Sequence, residues 1–212
     1  MGVIAQGILG GFSGKVGNVV GASWKGIHVI RIKPASVANP RTEGQVNQRN
    51  KFSATLEFLQ PSLAFIKQGY RFYANKMSAF NAAMSYVIQN AITGTAPTFM
   101  VDYATALVSR GKLEGVLGGD ASEATGNVTV TWTDNSANGN ARPDDKVMLL
   151  VYNATTGDST ILLDDPATRV DATITTAVSA TTGDILQVYL AFQAADGSMV
   201  SNSTRVAAVQ VG

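Results

Sequence analysis

The sequence predicts an α+β protein in which a Gly-rich β arm or hairpin and a helical hairpin precede an immunoglobulin/fibronectin type III-like antiparallel β-sandwich. Three observations predict this fold class. Glycines are concentrated near the start, an apolar pattern with helical spacing follows, and short β-rich runs separated by polar turns begin near residue 120. The 212 residues are enough to bury a core without disulfide bonds.

The first segment, residues 1–38, has eight glycines, at positions 2, 7, 10, 11, 14, 17, 21 and 26. Two β-prone pieces among them, 16–20 and 27–32, predict a hairpin or an extended arm. Such a segment has little side-chain area of its own to bury, so we expect it to lie on the body of the protein or on a neighbouring subunit. The residues expected to serve assembly are Gly14, Lys15, Val16, Gly17, Trp24, Lys25, Arg31 and Arg49.

A turn at Asn39-Pro40 and a capping pattern at Thr42-x-x-Gln45 predict the start of a helical pair. Pro61 predicts a kink or two short helices in the first half of the pair, and Gly69 is its expected end. A second helix is predicted over residues 77–92. Apolar residues at helical spacing define the expected buried faces: Phe52, Leu56, Leu59, Leu63 and Ile66, then Met77, Phe80, Met84, Val87, Ile88 and Ala91, with Gly94 and Pro97 ending the pattern.

The remaining chain predicts a sandwich of six or seven strands. The β-rich runs are 128–133, 146–152, 160–163, 170–175, 185–192 and 204–211, and turn sequences such as Asn138-Gly139 and Asp196-Gly197 separate them. Trp132 in an early strand, with Tyr152 and Tyr189 later, is typical of an immunoglobulin-like sandwich. The absence of cysteine favours the fibronectin-like variant.

Charge divides the chain into a predicted basic region, 1–112, and a predicted acidic sandwich, 113–212. The first part has twelve Lys and Arg against three acidic residues, a net charge of +9, and the second has four against twelve, a net charge of −8. This asymmetry suits a subunit whose basic end meets the acidic end of a neighbour. It is also compatible with a nucleic-acid-binding half, or with two domains that merely differ in composition.

The residue types and motifs of the sequence give little support for catalysis. The chain has no cysteine and one histidine, His28, which lies in the arm, and neither a nucleophile elbow nor a complete phosphate loop occurs. An EF-hand-like spacing involves Asp134, Ser136, Asn138, Gly139 and Asp145. Because Arg142 occupies the ninth position and strands flank the loop, a polar hairpin loop is favoured over a metal site. We therefore expect no catalytic residue, metal or cofactor.

Two binding functions stay open beside self-assembly. Trp132 and Tyr152 are candidates for glycan contact, although their place within strands favours core packing. The basic residues expected to contact nucleic acid, interleaved with aromatic ones, are Arg41, Arg49, Lys51, Lys67, Arg71 and Lys76, but no known nucleic-acid-binding signature accompanies them. We expect neither a secretory signal nor a membrane-spanning helix, so a virion or extracellular assembly would require another route.

Short motifs occur at 14–21 (GKVGNVVG), 24–26 (WKG) and 39–42 (NPRT), followed by Gln45, Gln48-Arg49 and Lys51-Phe52. They resemble an uncharacterised family of Bacteroidota proteins, a domain of unknown function, and the resemblance continues through the region from Trp132 to Tyr152. Such a family implies no catalytic or binding residues. The arm motif also resembles short proteins from phage and mobile-element contexts of those bacteria, which implies an assembly role.

These observations predict a non-enzymatic structural protein that self-associates through its Gly-rich arm and its oppositely charged halves. The expected assembly is virion-like, a filament or a surface component, and the expected partner is a second copy of the chain. The alternative from another class is an adhesin or ligand-binding module that recognises glycan or protein through sandwich loops. Nucleic-acid binding through the basic helical half is a further alternative, and an enzyme is disfavoured.

Overall fold

The computed structural model describes residues 11–36 and 41–212, together with the backbone of Val3–Ile4. Two compact units make up the chain, Met1–Thr42 and Glu43–Gly212. The predicted turn at Asn39-Pro40 and the glycines at positions 2, 7 and 10 lie outside the described residues.

The first unit contains a four-stranded antiparallel sheet, here called the N-terminal sheet. Its strands are β1 (Val3–Ile4), β2 (Phe12–Val16), β3 (Val19–Trp24) and β4 (Ile27–Ile32), and they lie side by side in that order. A two-residue turn with Gly17 at φ +57° joins β2 to β3, and Lys25 and Gly26, both at positive φ, join β3 to β4. The strand predicted at 27–32 is therefore confirmed, whereas the piece predicted at 16–20 is interrupted by a turn.

The second unit begins with three helices, α1 (Glu43–Leu59), α2 (Leu63–Gly69) and α3 (Ala79–Asn90). Pro61 separates α1 from α2 and α2 ends at Gly69, as predicted. The Ser78 hydroxyl caps α3 by accepting a hydrogen bond from the Asn81 backbone N–H at 3.1 Å. The predicted apolar stripe is only partly buried, because Phe52 and Leu63 are exposed while Phe58 and Phe65, which lay outside it, are buried.

A short hairpin follows α3, formed by β5 (Ile92–Thr95) and β6 (Thr98–Val101). The sequence does not predict this hairpin, because Gly94 and Pro97 are typical of the end of a helix. In the structure Gly94 lies within β5 at φ +89°, and Pro97 lies in the two-residue turn of the hairpin.

Seven strands form the β-sandwich. One sheet has the order β10-β9-β12-β13 and the other the order β11-β8-β7, with every neighbouring pair antiparallel. This division into four and three strands is that of an immunoglobulin/fibronectin type III-like sandwich. The strands are β7 (Leu117–Ala124), β8 (Asn127–Thr133), β9 (Lys146–Asn153), β10 (Ser159–Leu162), β11 (Thr173–Ala177), β12 (Ile185–Gln193) and β13 (Thr204–Gln210).

Five of the six predicted strands match these bounds within two residues. The sixth, predicted at 170–175, begins later, because Arg169–Asp171 forms a short 3₁₀ turn before β11. Strand β7 was missed. Its Gly118-Gly119 pair and its polar residues hide the apolar alternation that marks β8.

The helices cover the outer face of the four-stranded sheet, so the central strands β9 and β12 are buried on both faces. The predicted boundary between residues 112 and 113 therefore falls within one compact unit. One core lies between the helices and this sheet, and the second lies between the two sheets. The first includes Phe58, Phe65, Met84, Leu150, Tyr152 and Tyr189; the second includes Val130, Trp132, Leu149, Val151, Val188 and Phe192.

Candidate functional site

Strand β4 presents an apolar surface that the described part of the protein leaves uncovered. All six of its side chains are exposed, and four of them are large and apolar: Ile27, Val29, Ile30 and Ile32. Ile32 is 75% exposed, which exceeds any other large apolar residue that the structure describes. Successive side chains of a strand point to opposite faces of the sheet. Ile27 and Val29 therefore face solvent on one side, and Ile30 and Ile32 face it on the other.

Among the described strands, the backbone of β4 is also paired on one side only, since β4 ends the four-stranded order. The Lys33 N–H donates to the Asn18 carbonyl at 2.7 Å, which fixes the alternation of the ladder with β3. In an antiparallel pair every second residue directs its N–H and C=O away from the partner. The backbone groups of His28, Ile30 and Ile32 therefore point to the open edge, and such an edge is a template for another strand.

The glycines of the N-terminal sheet allow close packing within it. Gly21 pairs with Gly14 across β2 and β3, and the Phe12 ring lies over Gly21, where a side chain would clash with the ring carbons at 2.8 Å. Gly11 is likewise covered by the His28 imidazole, whose Nδ1 would lie 2.8 Å from a Cβ at that position. His28 thus packs against its own sheet, and no chemistry is indicated for it.

The structure brings together seven of the eight residues predicted to serve assembly. They occupy β2, β3, β4 and the two turns of the N-terminal sheet: Gly14, Lys15, Val16, Gly17, Trp24, Lys25 and Arg31. Trp24 is 57% exposed at the end of β3. Residues 11–36 carry four basic side chains and no acidic one, so this apolar surface is also positively charged.

Arg49, the eighth residue, lies elsewhere, on α1 in the second unit. It borders a shallow groove of about 540 Å³ together with Gln45, Gln48, Phe52 and Leu56. Phe52, which was predicted to belong to the helical core, is exposed here. Arg49 therefore belongs to the second unit and not to the N-terminal sheet.

The loop with the EF-hand-like spacing is organised around a buried ion pair. Asp145 Oδ2 lies 3.0 Å from Nε of Arg169, whose side chain is fully buried, and it also accepts the Arg142 backbone N–H at 2.9 Å. Asp134 accepts the Ser136 N–H, and this bond lowers the pKa of the Asp134 carboxyl. Among residues 11–36 and 41–212, no group of three or more His, Asp or Glu side chains could hold a metal ion.

Arg169 is the centre of a polar cluster inside the sandwich, here called the Arg169 cluster. Its guanidinium donates to Asp145, to the Asn135 side chain and to the carbonyls of Glu114 and Gly115, and it lies 3.9 Å from the ring centroid of Phe192. Burial lowers the pKa of Arg169, and the adjacent Asp145 opposes that shift. The cluster joins the β8–β9 loop to the turn before β11.

The aromatic candidates for glycan contact belong to the cores. Trp132 is 5% exposed and Tyr152 is 3% exposed, so the suggestion that they form an exposed glycan platform is wrong. The Trp132 indole N–H donates to the Arg169 carbonyl at 2.8 Å, which satisfies its one polar group inside the sandwich.

The stretch from Gln68 to Lys76, which contains the nucleic-acid candidates Arg71 and Lys76 and the aromatic residues between them, packs largely against its own chain. Tyr70 is buried with its hydroxyl donating to the Leu107 carbonyl at 3.0 Å. The Tyr73 ring is half-buried and carries the Arg110 guanidinium at 4.5 Å. Phe72 is exposed, with the Arg71 guanidinium 4.6 Å from its centroid. Base stacking along this stretch would thus rest on Phe72.

A cleft of about 530 Å³ lies between α1, the β5–β6 hairpin and the four-stranded sheet. Tyr103, Tyr152, Glu57 and Arg205 contribute polar groups to its lining. Burial raises the pKa of Tyr103 and of Tyr152, with the Glu57 carboxylate adding to both shifts, so both phenols stay protonated at neutral pH. The cleft can therefore donate and accept hydrogen bonds beside aromatic surface.

The described part of the chain contains no helix with the length and apolar character needed to span a membrane.

The architecture defines a class, an immunoglobulin/fibronectin type III-like β-sandwich with helices packed on one of its sheets. The chain belongs to a family of unknown function, DUF6266, whose family model matches residues 11–207. A comparison with curated proteins found no match. Among solved structures, the fibronectin type III domain of the human collagen alpha-1(XX) chain is similar at 16% identity and a TM-score of 0.36, covering 47% of this chain and 85% of that one.

Proposed function

We propose that this protein is a structural subunit that self-associates through the N-terminal sheet, with β4 as its principal contact. The observation that supports this proposal is that β4 is apolar on both faces and has an open backbone edge. Natural proteins blunt or cover such edges unless the edge pairs with another strand. A subunit of a larger assembly has a reason to keep it open.

Burial of the apolar side chains on β4 would favour association. Full burial of an isoleucine side chain contributes about 1.5–3 kcal/mol relative to full exposure. Ile30 and Ile32 are each more than half exposed, and Trp24 adds an aromatic surface on the neighbouring strand. Ile30 and Ile32 face one side of the sheet, and Trp24, which lies opposite Ile27, faces the other, so contacts on both faces would offset part of the entropy lost on association.

Charge supports contact between unlike parts of two copies. The basic half has a net charge of +9 and the acidic half −8, so a head-to-tail arrangement brings opposite charges together. Such an arrangement is heterologous and produces a ring or an open filament. A virion-like, filament or surface component is the class of assembly that we infer. The Bacteroidota origin and the phage or mobile-element context implied by the sequence resemblance are part of this proposal.

Sedimentation velocity over a range of protein concentrations tests the proposal with two matched variants. Ile30→Asp places a charge on β4, and Met100→Asp places one at an equally exposed apolar residue of β6 in the second unit. We expect the wild type and Met100→Asp to form species larger than a monomer and Ile30→Asp to shift towards the monomer. The proposal would be contradicted if the wild type were a monomer at every concentration, or if the two variants had the same distribution of sedimenting species.

The cleft supports a second candidate function, a binding module for a glycan or a protein segment. Its aromatic rings beside phenol, carboxylate and guanidinium groups suit sugar hydroxyls. Glycan-array binding by the wild type, reduced by Glu57→Ala and unaffected by Ile30→Asp, is the expected result under this alternative. If no glycan on the array binds the wild type, a glycan is excluded as the ligand of the cleft.

A further inference from the structure

Resting on the proposed function, a second inference concerns the surface that receives β4. We propose that β4 of one copy adds as a strand to the open edge of β10 in the sandwich of a second copy. The four-stranded sheet of the acceptor would thereby become a five-stranded sheet that spans two molecules.

Strand β10 has an open backbone edge, because it ends the order β10-β9-β12-β13 and pairs only with β9 among the described strands. The Asn153 N–H donates to the Asp158 carbonyl at 2.9 Å just before the strand, which fixes the alternation of this ladder. The backbone groups of Ser159 and Ile161 therefore point away from β9. These N–H and C=O groups can form hydrogen bonds with the outward-pointing C=O and N–H groups of β4.

The side chains of β10 also leave room for another strand. Ile161 packs against the core under the helices and Leu162 against the core of the sandwich, yet both are only half-buried. In a sheet each strand covers the flank of its neighbour, so an added strand with apolar side chains on both faces would complete the burial of both residues. Strand β4 has this character, with apolar side chains on each face.

The opposite side of the sandwich is a poorer acceptor. There β13 and β7 lie against each other, and Val206 packs so closely on Gly119 that a Cβ at Gly119 would meet Val206 Cγ1 at 2.5 Å. On the side of β10, the neighbouring edge strand β11 exposes mainly threonines, such as Thr173 and Thr175. The apolar match therefore selects β10.

Charge selects the same edge. Asp158 precedes β10, and Asp164 and Asp165 follow it, with Asp158 and Asp164 exposed. Strand β4 is bounded by Lys25 and Lys33 and contains Arg31. Pairing of β4 with β10 thus sets basic ends against acidic ends in either strand direction.

Pairing of two β4 strands is disfavoured by the same charges, because residues 11–36 carry no acidic side chain. Such a contact would place like charges opposite one another, which is destabilising. The occupant of the β10 edge is therefore the basic N-terminal sheet of another copy.

Charge reversal tests this pairing on the full-length chain. A donor variant carries Arg31→Glu and Lys33→Glu, and an acceptor variant carries Asp158→Lys and Asp164→Lys. We expect each variant alone to need about tenfold more protein, or still more, for half-association, because attraction becomes repulsion at the contact. An equimolar mixture of the two should recover the wild-type concentration dependence, since each donor then meets an acceptor of opposite charge.

Cysteine trapping distinguishes strand pairing from loose attraction, since the natural chain has no cysteine. A chain with Val29→Cys, which can lie opposite Thr160 in an antiparallel pairing, or with Ile30→Cys, which can do so in a parallel pairing, is mixed with one carrying Thr160→Cys. One of these two mixtures should form a disulfide-linked heterodimer under mild oxidation. The matched control, Thr131→Cys on the exposed face of β8, should not.

The outcomes separate the two proposals. If the wild type associates but the acceptor variant associates equally well, or if Thr131→Cys cross-links as readily as Thr160→Cys, the β10 assignment fails and self-association stands. If the wild type stays monomeric and a chain carrying Thr160→Cys together with Val29→Cys or with Ile30→Cys cross-links only within itself, self-association fails as well.

Discussion

Replacement of Arg169 is the most demanding test of how the sandwich is held together. Arg169→Met keeps apolar contact with the Phe192 ring but removes every donor of the guanidinium. The Asp145 side chain, 2% exposed, then loses its ionic partner and keeps only the Arg142 N–H as a described donor. Breaking a buried pair from one side costs about 3–5 kcal/mol, a large part of the 5–15 kcal/mol that stabilises a typical domain.

Urea unfolding followed by tryptophan fluorescence measures this cost, because Trp132 lies beside Arg169. Arg142→Ala is the control: its side chain is exposed and its backbone N–H is retained, so a change within about 0.5 kcal/mol is expected. Adding Asp145→Asn to Arg169→Met should restore part of the stability, since the unpaired charge disappears. A loss below about 1 kcal/mol for Arg169→Met, or no recovery in the double variant, would refute the role given to the Arg169 cluster.

Three further predictions concern pH, packing and salt. The Thr181 backbone N–H holds the pKa of the Asp184 carboxyl below its ordinary value. The stabilisation of the fold by the ionised carboxylate is therefore present above about pH 4 and disappears as pH falls through the folded-state pKa. Asp184→Asn should flatten the acid side of a plot of thermal-unfolding temperature against pH. Gly111→Ala should destabilise by about 1–3 kcal/mol, because the new methyl group would overlap the Val200 carbonyl, whereas Gly115→Ala meets no atom within 4 Å and should be nearly neutral in the same assay. Raising ionic strength should weaken self-association in light scattering, since salt screens attraction between exposed charges; insensitivity to salt would argue against the role of charge.

The β-sandwich could be predicted because its strands repeat a simple pattern between polar turns. Strand β8 alternates Val128, Val130 and Trp132 inward with threonines outward, and the structure confirms it. The sequence also indicates that one sheet of the sandwich is covered on its outer face. The runs at 147–152 and 186–192 are apolar almost without alternation, which is typical of strands buried on both faces.

Other features carry no signal in a single sequence. Arginine is normally exposed, so nothing in the neighbourhood of Arg169 predicts a fully buried guanidinium. Helical spacing alone could not decide which face of α1 is covered, and the exposed Phe52 was therefore placed in the core. Strand β4 was predicted correctly, but its exposure on both faces depends on how little of the described chain packs against it.

The candidate site, too, could be predicted from the sequence only in part. The N-terminal sheet was selected from its glycines and its charge, and the structure gathers seven of the eight chosen residues there. The open edge of β10 was not foreseen, because edge strands are defined only by strand order. The sequence alone shows the charge imbalance of the two halves. The structure adds that basic residues border β4 and that Asp158 and Asp164 border β10.

The most direct test of self-association is the native mass of the full-length chain beside a variant lacking residues 2–34. Light scattering at low and high salt gives the mass, and electron microscopy of the heaviest fraction gives the form. Since the second unit contains both cores, the truncated chain should remain folded. The account predicts rings, tubes or filaments for the full-length protein and a folded monomer for the truncation. Monomers of both at every salt and protein concentration would contradict it.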